Sequence, residues 1–213
     1  MFSAARVLAG LVLLAAACGV AAQQELLPNG IFLIAKPSLA DPNFRQTVVL
    51  VTQTPDAATV GVIVNRPTPL RLSQFLSYGL PTENYREPIF SGGPVMRQAL
   101  VAVFRSETAP AAPAFHVLKG LYLSMHLDNI EALLSDTSRR YRLYAGFSGW
   151  APRQLESEFA RDGWYVLPAN EETVFRNDMS NLWQELEAKA RGAQAGAEAD
   201  EFSMRYTAER VTP

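Results

Sequence analysis

The chain has 213 residues, 48% of them hydrophobic and 19% charged, with 19 Lys and Arg set against 21 Asp and Glu. That balance supports one globular domain with a sizeable core and excludes a disordered chain. A net charge of −2 gives no electrostatic support to non-specific nucleic-acid binding, so no direct nucleic-acid partner is expected.

In chain order the first feature is a leader. Arg6 provides a short positive head, and residues 7–17 are apolar with only Gly10 interrupting them. The run is shorter than the roughly 20 residues that span a bilayer comfortably, and small residues follow at once. Val20-Ala21-Ala22 before Gln23 fits a cleavage site, so residues 1–22 read as a secretory signal and not as a retained anchor helix. Its removal deletes Arg6 and no acid, moving the net charge from −2 to −3. Cys18, the single cysteine, stands in Ala15-Ala16-Ala17-Cys18-Gly19, which resembles a bacterial lipoprotein processing site. The usual Leu is displaced, Leu14 lying one residue too early. Two outcomes stay open: lipidation of Cys18 with a membrane anchor, or cleavage and release of a soluble protein. Either implies export to the periplasm and leaves no further thiol for a disulfide, a zinc site or nucleophilic chemistry.

A lead segment, 23–29, precedes the domain, read as residues 30–190. The apolar run 31–35, between Gly30 and Pro37, predicts a buried strand, and 47–51 and 60–64 predict two more. Thr54-Pro55-Asp56 between them supplies hairpin turn chemistry. Leu72, Phe75 and Leu76 suit one face of a helix over 70–78. Strands follow at 88–90, 100–104, 120–123 and 141–147. A helix over 127–134 has Asp128 and Glu131 at capping-box spacing, with Leu127 placed to pack on Ala132. A second helix, 152–162, begins with Pro152 and exits through Gly163; a third covers 179–190 with Leu182, Trp183 and Leu186 on one face. Residues 191–213 have little to bury and read as a flexible tail.

Four segments together resemble the YqgE/AlgH family. They are Gly30-Ile-Phe-Leu-Ile-Ala-Lys-Pro37 with Leu39-Ala-Asp-Pro-Asn-Phe44 and Thr47-Val-Val-Leu50; Gly61-Val-Ile-Val-Asn-Arg-Pro-Thr68; Phe90-Ser-Gly-Gly-Pro-Val95; and Gly146-Phe-Ser-Gly-Trp-Ala-Pro-Arg-Gln-Leu-Glu156, followed by Glu158 and Trp164. The resemblance implies an α+β fold with a single mixed, bent, partly barrel-like sheet and flanking helices. It implies no defined activity. The family name links some members to control of exopolysaccharide production, which for an exported copy would be an indirect regulatory role. Two departures stand out. Members are usually cytoplasmic, and after the second strand they often carry a Glu-His or Cys-containing stretch where this chain has Thr52-Gln53-Thr54.

The same motifs supply the candidate site. Asn65 and Arg66 end a strand, where an Arg fork could bind carboxylate or phosphate, or where Asn65 turns the chain and Arg66 pairs locally. Ser91, Gly92, Gly93 and Pro94 could offer backbone N–H groups to an anion, or a tight bend. Gly149, Trp150, Gln154 and Glu158 surround a helix start, with Trp150 as an aromatic wall or as a packed side chain. If the fold gathers them, these loops form one binding surface for a small ligand or partner protein, without cofactor or metal. The enzymatic alternative is a hydrolase acting through Ser91 or Ser148, which requires His116, His126 or a carboxylate within reach. No catalytic set is evident in the residues themselves.

Overall fold

The computed structural model describes residues 29–76 and 80–211, with side chains to 197. The leader, Cys18 and most of the lead segment lie outside the described residues, as does the end of the helix expected over 70–78.

Nine strands build one sheet: β1 Ile31–Ala35, β2 Val48–Gln53, β3 Thr59–Ile63, β4 Phe90–Ser91, β5 Val95–Arg105, β6 Phe115–Leu118, β7 Leu121–Ser124, β8 Tyr141–Trp150 and β9 Trp164–Pro168. The spatial order is β6-β7-β5-β8-β3-β2-β1-β9, all antiparallel, with β4 added parallel to β8. The fold is α+β. Helices α1 Leu127–Ser135, α2 Gln154–Ala160, α3 Glu171–Val174 and α4 Leu182–Val211 flank the sheet. The sheet curls until the Gly30 N–H donates to the Val117 carbonyl (2.8 Å). It is not closed; a Cβ on Gly30 would stand 2.6 Å from that carbonyl oxygen, so glycine permits the approach.

Both faces of the sheet are buried, which is why its strands read as continuous apolar runs. Phe32, Ile34, Leu50, Val62, Val103 and Tyr144 point inward, where Val174, Phe175, Met179 and Leu182 plug the concavity. Outside, Ile130, Leu133 and Leu134 of α1 cover β5, β7 and β8. Leu33, Val49 and Ile63 lie instead under Phe44, Trp150 and Trp164.

Strand β8 serves both halves by changing phase. Tyr141, Leu143 and Ala145 face outward and Tyr144 inward, whereas beyond Gly146 it is Phe147 that packs inward and Trp150 outward. Gly146 (φ 71°) is the inserted residue of a bulge, since one extra residue reverses every later side chain. The β5–β8 register shifts at the same place, between the pairs Val95↔Phe147 and Leu100↔Ala145.

Several local expectations need correction. Helix α1 is capped by His126, whose Nδ1 accepts the Asp128 N–H (3.4 Å), so the helix starts before Asp128 and Leu127 is left exposed. The second helix is two residues shorter at each end; Asp162 (φ 58°), not Gly163, takes the left-handed exit. Where 70–78 was expected helical, the described part is a single 3₁₀ turn, Leu72–Gln74. Strands β6 and β9 and helix α3 are additions, each too short to show periodicity. Helix α4 runs through the segment read as a tail. Residues 191–197 are exposed, and Ala193, Ala195 and Ala197 favour helix there against the cost of Gly192 and Gly196.

Gly146→Ala combines positive φ with a Cβ only 2.7 Å from the Val95 carbonyl oxygen. It is expected to lower stability by about 2–3 kcal/mol, since strain at such positions costs on the order of 1–3 kcal/mol. Urea unfolding checks this, and a midpoint within error of the parent would refute it.

Candidate functional site

The residues singled out in the sequence are bound into the fold more than they are offered to a ligand. Asn65 accepts from the Val48 N–H (2.9 Å) and donates through Nδ2 to the Gln46 carbonyl (3.0 Å). Arg66 donates to the carbonyls of Asn43 (2.5 Å) and Arg45 (2.8 Å), clamping the loop that carries Phe44. The Ser91 N–H donates to the Arg66 carbonyl, and the Gly92 carbonyl accepts from Ile63 N–H (2.9 Å) and Ser148 Oγ (3.0 Å). A Cβ on Gly92 would lie 2.1 Å from the Gly146 carbonyl oxygen, and one on Gly93 2.3 Å from that of Phe147. These glycines therefore let two backbones touch. Pro94 leads from this crossing into β5.

Trp150 and Trp164, 2% and 4% exposed, meet edge to face and both donate their indole N–H to Glu158 Oε2, at 3.0 and 2.8 Å. Phe44 lies 5.4 Å from each ring. Gln154 Oε1 accepts the Ala151 N–H (3.1 Å), and Gly149 pairs with Val60 across β3. One carboxylate thus satisfies two buried donors and fastens α2 to the sheet.

The loops do not form one surface. Trp150 pairs with Thr59 at the start of β3, while Asn65 follows the other end of that strand. Asn65 alone of the candidates lines a cleft of about 490 Å3, together with Gln46, Pro67, Asn177, Asp178, Trp183 and Gln184. This cleft lies between the β3 exit and the start of α4. Among the described residues, the side-chain amides of Gln46, Asn177 and Gln184 have no intramolecular hydrogen bond. Gln46 stands at φ 55°, a conformation that non-glycine residues rarely adopt, and the Asn65 bond to its carbonyl holds it there. Trp183 is pinned by its N–H on the Ala35 carbonyl (2.8 Å). A hydrogen bond from the Ser180 N–H holds the Asp178 carboxyl below its ordinary pKa, so it is ionised at neutral pH.

Arg142 escaped sequence reading. It is 2% exposed on the inner phase of β8 and donates to the carbonyls of Val174 (2.7 Å) and Arg176 (3.1 Å) and to Glu87 (3.0 Å). A guanidinium at the end of α3 satisfies its free carbonyls and suits the helix dipole. The available signal was a charge at an inward position between Tyr141 and Leu143.

The Ser148 route is poorly placed for chemistry. Ser148 is fully buried with its hydroxyl on the Gly92 carbonyl. His116 stacks on Tyr122 (4.7 Å), and its Nε2 is buried without a partner. His126 caps α1. Among the described residues, no group of His, Cys, Asp and Glu is arranged to hold a metal ion.

Glu158→Ala strands two buried indole donors and is expected to cost about 2–4 kcal/mol, at ~1–3 kcal/mol per buried donor. Glu158→Gln, which keeps an acceptor, should cost less. Thermal unfolding followed by tryptophan fluorescence separates them; equal effects would show that the shared acceptor is unimportant.

Comparison with known proteins agrees with this architecture. The AlgH-like family model matches residues 32–195. A UPF0301 protein of Myxococcus xanthus is 34% identical over 154 residues, covering 71% of this chain and 84% of the relative. One from Anaeromyxobacter dehalogenans is 36% identical over 165 residues, covering 72% and 83%. Among solved structures, the AlgH protein from Pseudomonas aeruginosa superposes with a TM-score of 0.63 at 26% identity, covering 76% of this chain and 88% of that one. By sequence and fold alike, the chain belongs to the AlgH-like family.

Proposed function

We propose that this AlgH-like protein is a non-enzymatic binding module of the cell envelope that takes an uncharged, hydrogen-bonding ligand or partner segment in the cleft between Gln46 and Trp183. The observation that carries the reading is Gln46: a strained backbone, fixed by Asn65, presents an amide with no internal partner to the cleft. Strain that the surroundings maintain is a pointer to function. Among the described residues no Lys or Arg lines the cleft, and ionised Asp178 stands beside the amino-terminal turn of α4. An anionic ligand would meet a carboxylate there; neutral amide or hydroxyl groups would meet free amides and an aromatic wall.

The envelope location rests on the leader, 1–22, with Cys18 as the candidate lipid attachment. Mass spectrometry of the protein from membrane and soluble fractions tests it. A lipid-modified Cys18 or a terminus near Gln23 supports export, and an intact Met1 in the cytoplasm removes it.

For the cleft, the informative variant is Gln46→Gly. It relieves roughly 1–2 kcal/mol of left-handed strain, offset in part by glycine's ~0.5–1 kcal/mol of chain entropy. Stability is expected to stay level or rise. The side-chain amide shifts of Asn177 and Gln184, which neutral oligosaccharides and uncharged peptides should perturb in the parent, are expected to be lost. Marked destabilisation, or ligand shifts unchanged in the variant, would overturn the assignment.

A further inference from the structure

A second cleft, about 330 Å3, opens beside the turn between α1 and β8, remote in character from the first. Three arginines are among the residues that line it, Arg86, Arg139 and Arg140, with one acid, Glu87. That carboxylate is already committed, since its Oε2 accepts from Nε of buried Arg142 at 3.0 Å. Arg139 and Arg140 are held in place by acids outside the lining: Asp136 at 3.0 Å from Arg139 and Glu171 at 3.4 Å from Arg140. Asp136 also accepts from the N–H (3.1 Å) and hydroxyl (2.6 Å) of Ser138, which fixes the turn. Arg140 lies over the Phe175 ring at 4.7 Å, a further restraint on its position.

What remains uncommitted is a set of donors. Among the described residues, the exposed Arg86 guanidinium and the hydroxyls of Thr137 and Tyr141 have no internal hydrogen-bond partner. Arg139 and Arg140 each keep N–H groups beyond those their acids use, because a guanidinium carries five. Donors from two segments of chain line this cleft, and guanidinium donors select an oxyanion. With Arg139 and Arg140 paired to Asp136 and Glu171, and Glu87 paired to Arg142, Arg86 is the uncompensated cation of the cleft, which suits an oxyanion. We propose that this cleft binds a phosphate monoester, with Arg86 as the principal ligand and Thr137, Arg139, Arg140 and Tyr141 completing the shell. Such a group comes from a soluble metabolite or from a lipid headgroup, and the chemistry of recognition is shared.

The test uses the full mature chain at low ionic strength, titrated with glycerol 3-phosphate and followed by the backbone amides of residues 137–140. Saturable shifts are expected, tightening as pH rises from about 5 to 7, because the second phosphate proton leaves near pH 6. They should weaken with added salt as charge is screened. Arg86→Ala, on an exposed side chain with no internal partner, is expected to weaken binding at least about tenfold with unchanged melting. Thr137→Val should give a smaller loss. In a parallel arm, vesicles containing phosphatidic acid report the lipid source: Arg86-dependent sedimentation assigns the headgroup, and binding of glycerol 3-phosphate without sedimentation assigns a soluble ester. Absence of saturable shifts in both arms, or shifts that Arg86→Ala leaves intact, would overturn the proposal.

Discussion

The backbone contact between β8 and the Ser91–Pro94 segment is the constraint on which the rest depends. β8 pairs with β3, β4 and β5, so among the described residues it is the strand whose ladders join the two halves of the sheet. Those halves carry different outer layers, α1 on one and the Trp150–Trp164–Phe44 cluster on the other. A strand of uniform alternation could not present the correct face to both. The inserted Gly146 solves this by reversing the phase midway, and the bulge brings its carbonyl against Gly92. Ser148, directly after the bulge, closes the crossing by donating to the Gly92 carbonyl. The motif glycines and the motif serine therefore describe one joint.

This explains why the fold was legible in the sequence and the site was not. Runs such as Val48–Gln53 and Thr59–Ile63 are apolar because both faces of the sheet are covered, and their turn residues stand between them in plain order. The same reading found four distinctive segments and treated three of them as possible loop sites. What it could not see is distance through space. Asn65 and Trp150 lie close to motif residues in the list of segments, yet they stand at opposite ends of β3. Nor does a sequence reveal positive φ at Gln46, which arises from the Asn65 bond to its carbonyl. Short elements such as β6 and α3 failed for a simpler reason: four residues complete only about one helical turn or two strand alternations.

Trp150, Trp164 and Glu158 show how a chemically suggestive set can be structural. Tryptophan beside a carboxylate at a helix start invites a binding interpretation. Here both indole N–H groups are buried, and a buried donor without a partner is costly. Glu158 removes that cost for the two together and orients α2 in the process. The useful distinction is between polar atoms that are already partnered and those that are not. By that standard Arg66, Ser148, Trp150 and Gln154 belong to the scaffold, while Gln46, Arg86 and Gln184 are free to meet something else.

Arg142 gives the two clefts their opposite characters. Its Nε holds Glu87, the one carboxylate among the described residues that line the basic cleft. Its terminal nitrogens hold the carbonyls of Val174 and Arg176, immediately before the Asn177–Ser180 segment that lines the amide-rich cleft. A buried guanidinium is stable only with such complete pairing, and the partners it recruits are the segments that shape the two openings. Both clefts sit where strands give way to loops. The interior between them is filled by Tyr144, Phe90 and side chains of α3 and α4, so the sheet supplies the rigid body and the two openings lie at its rims.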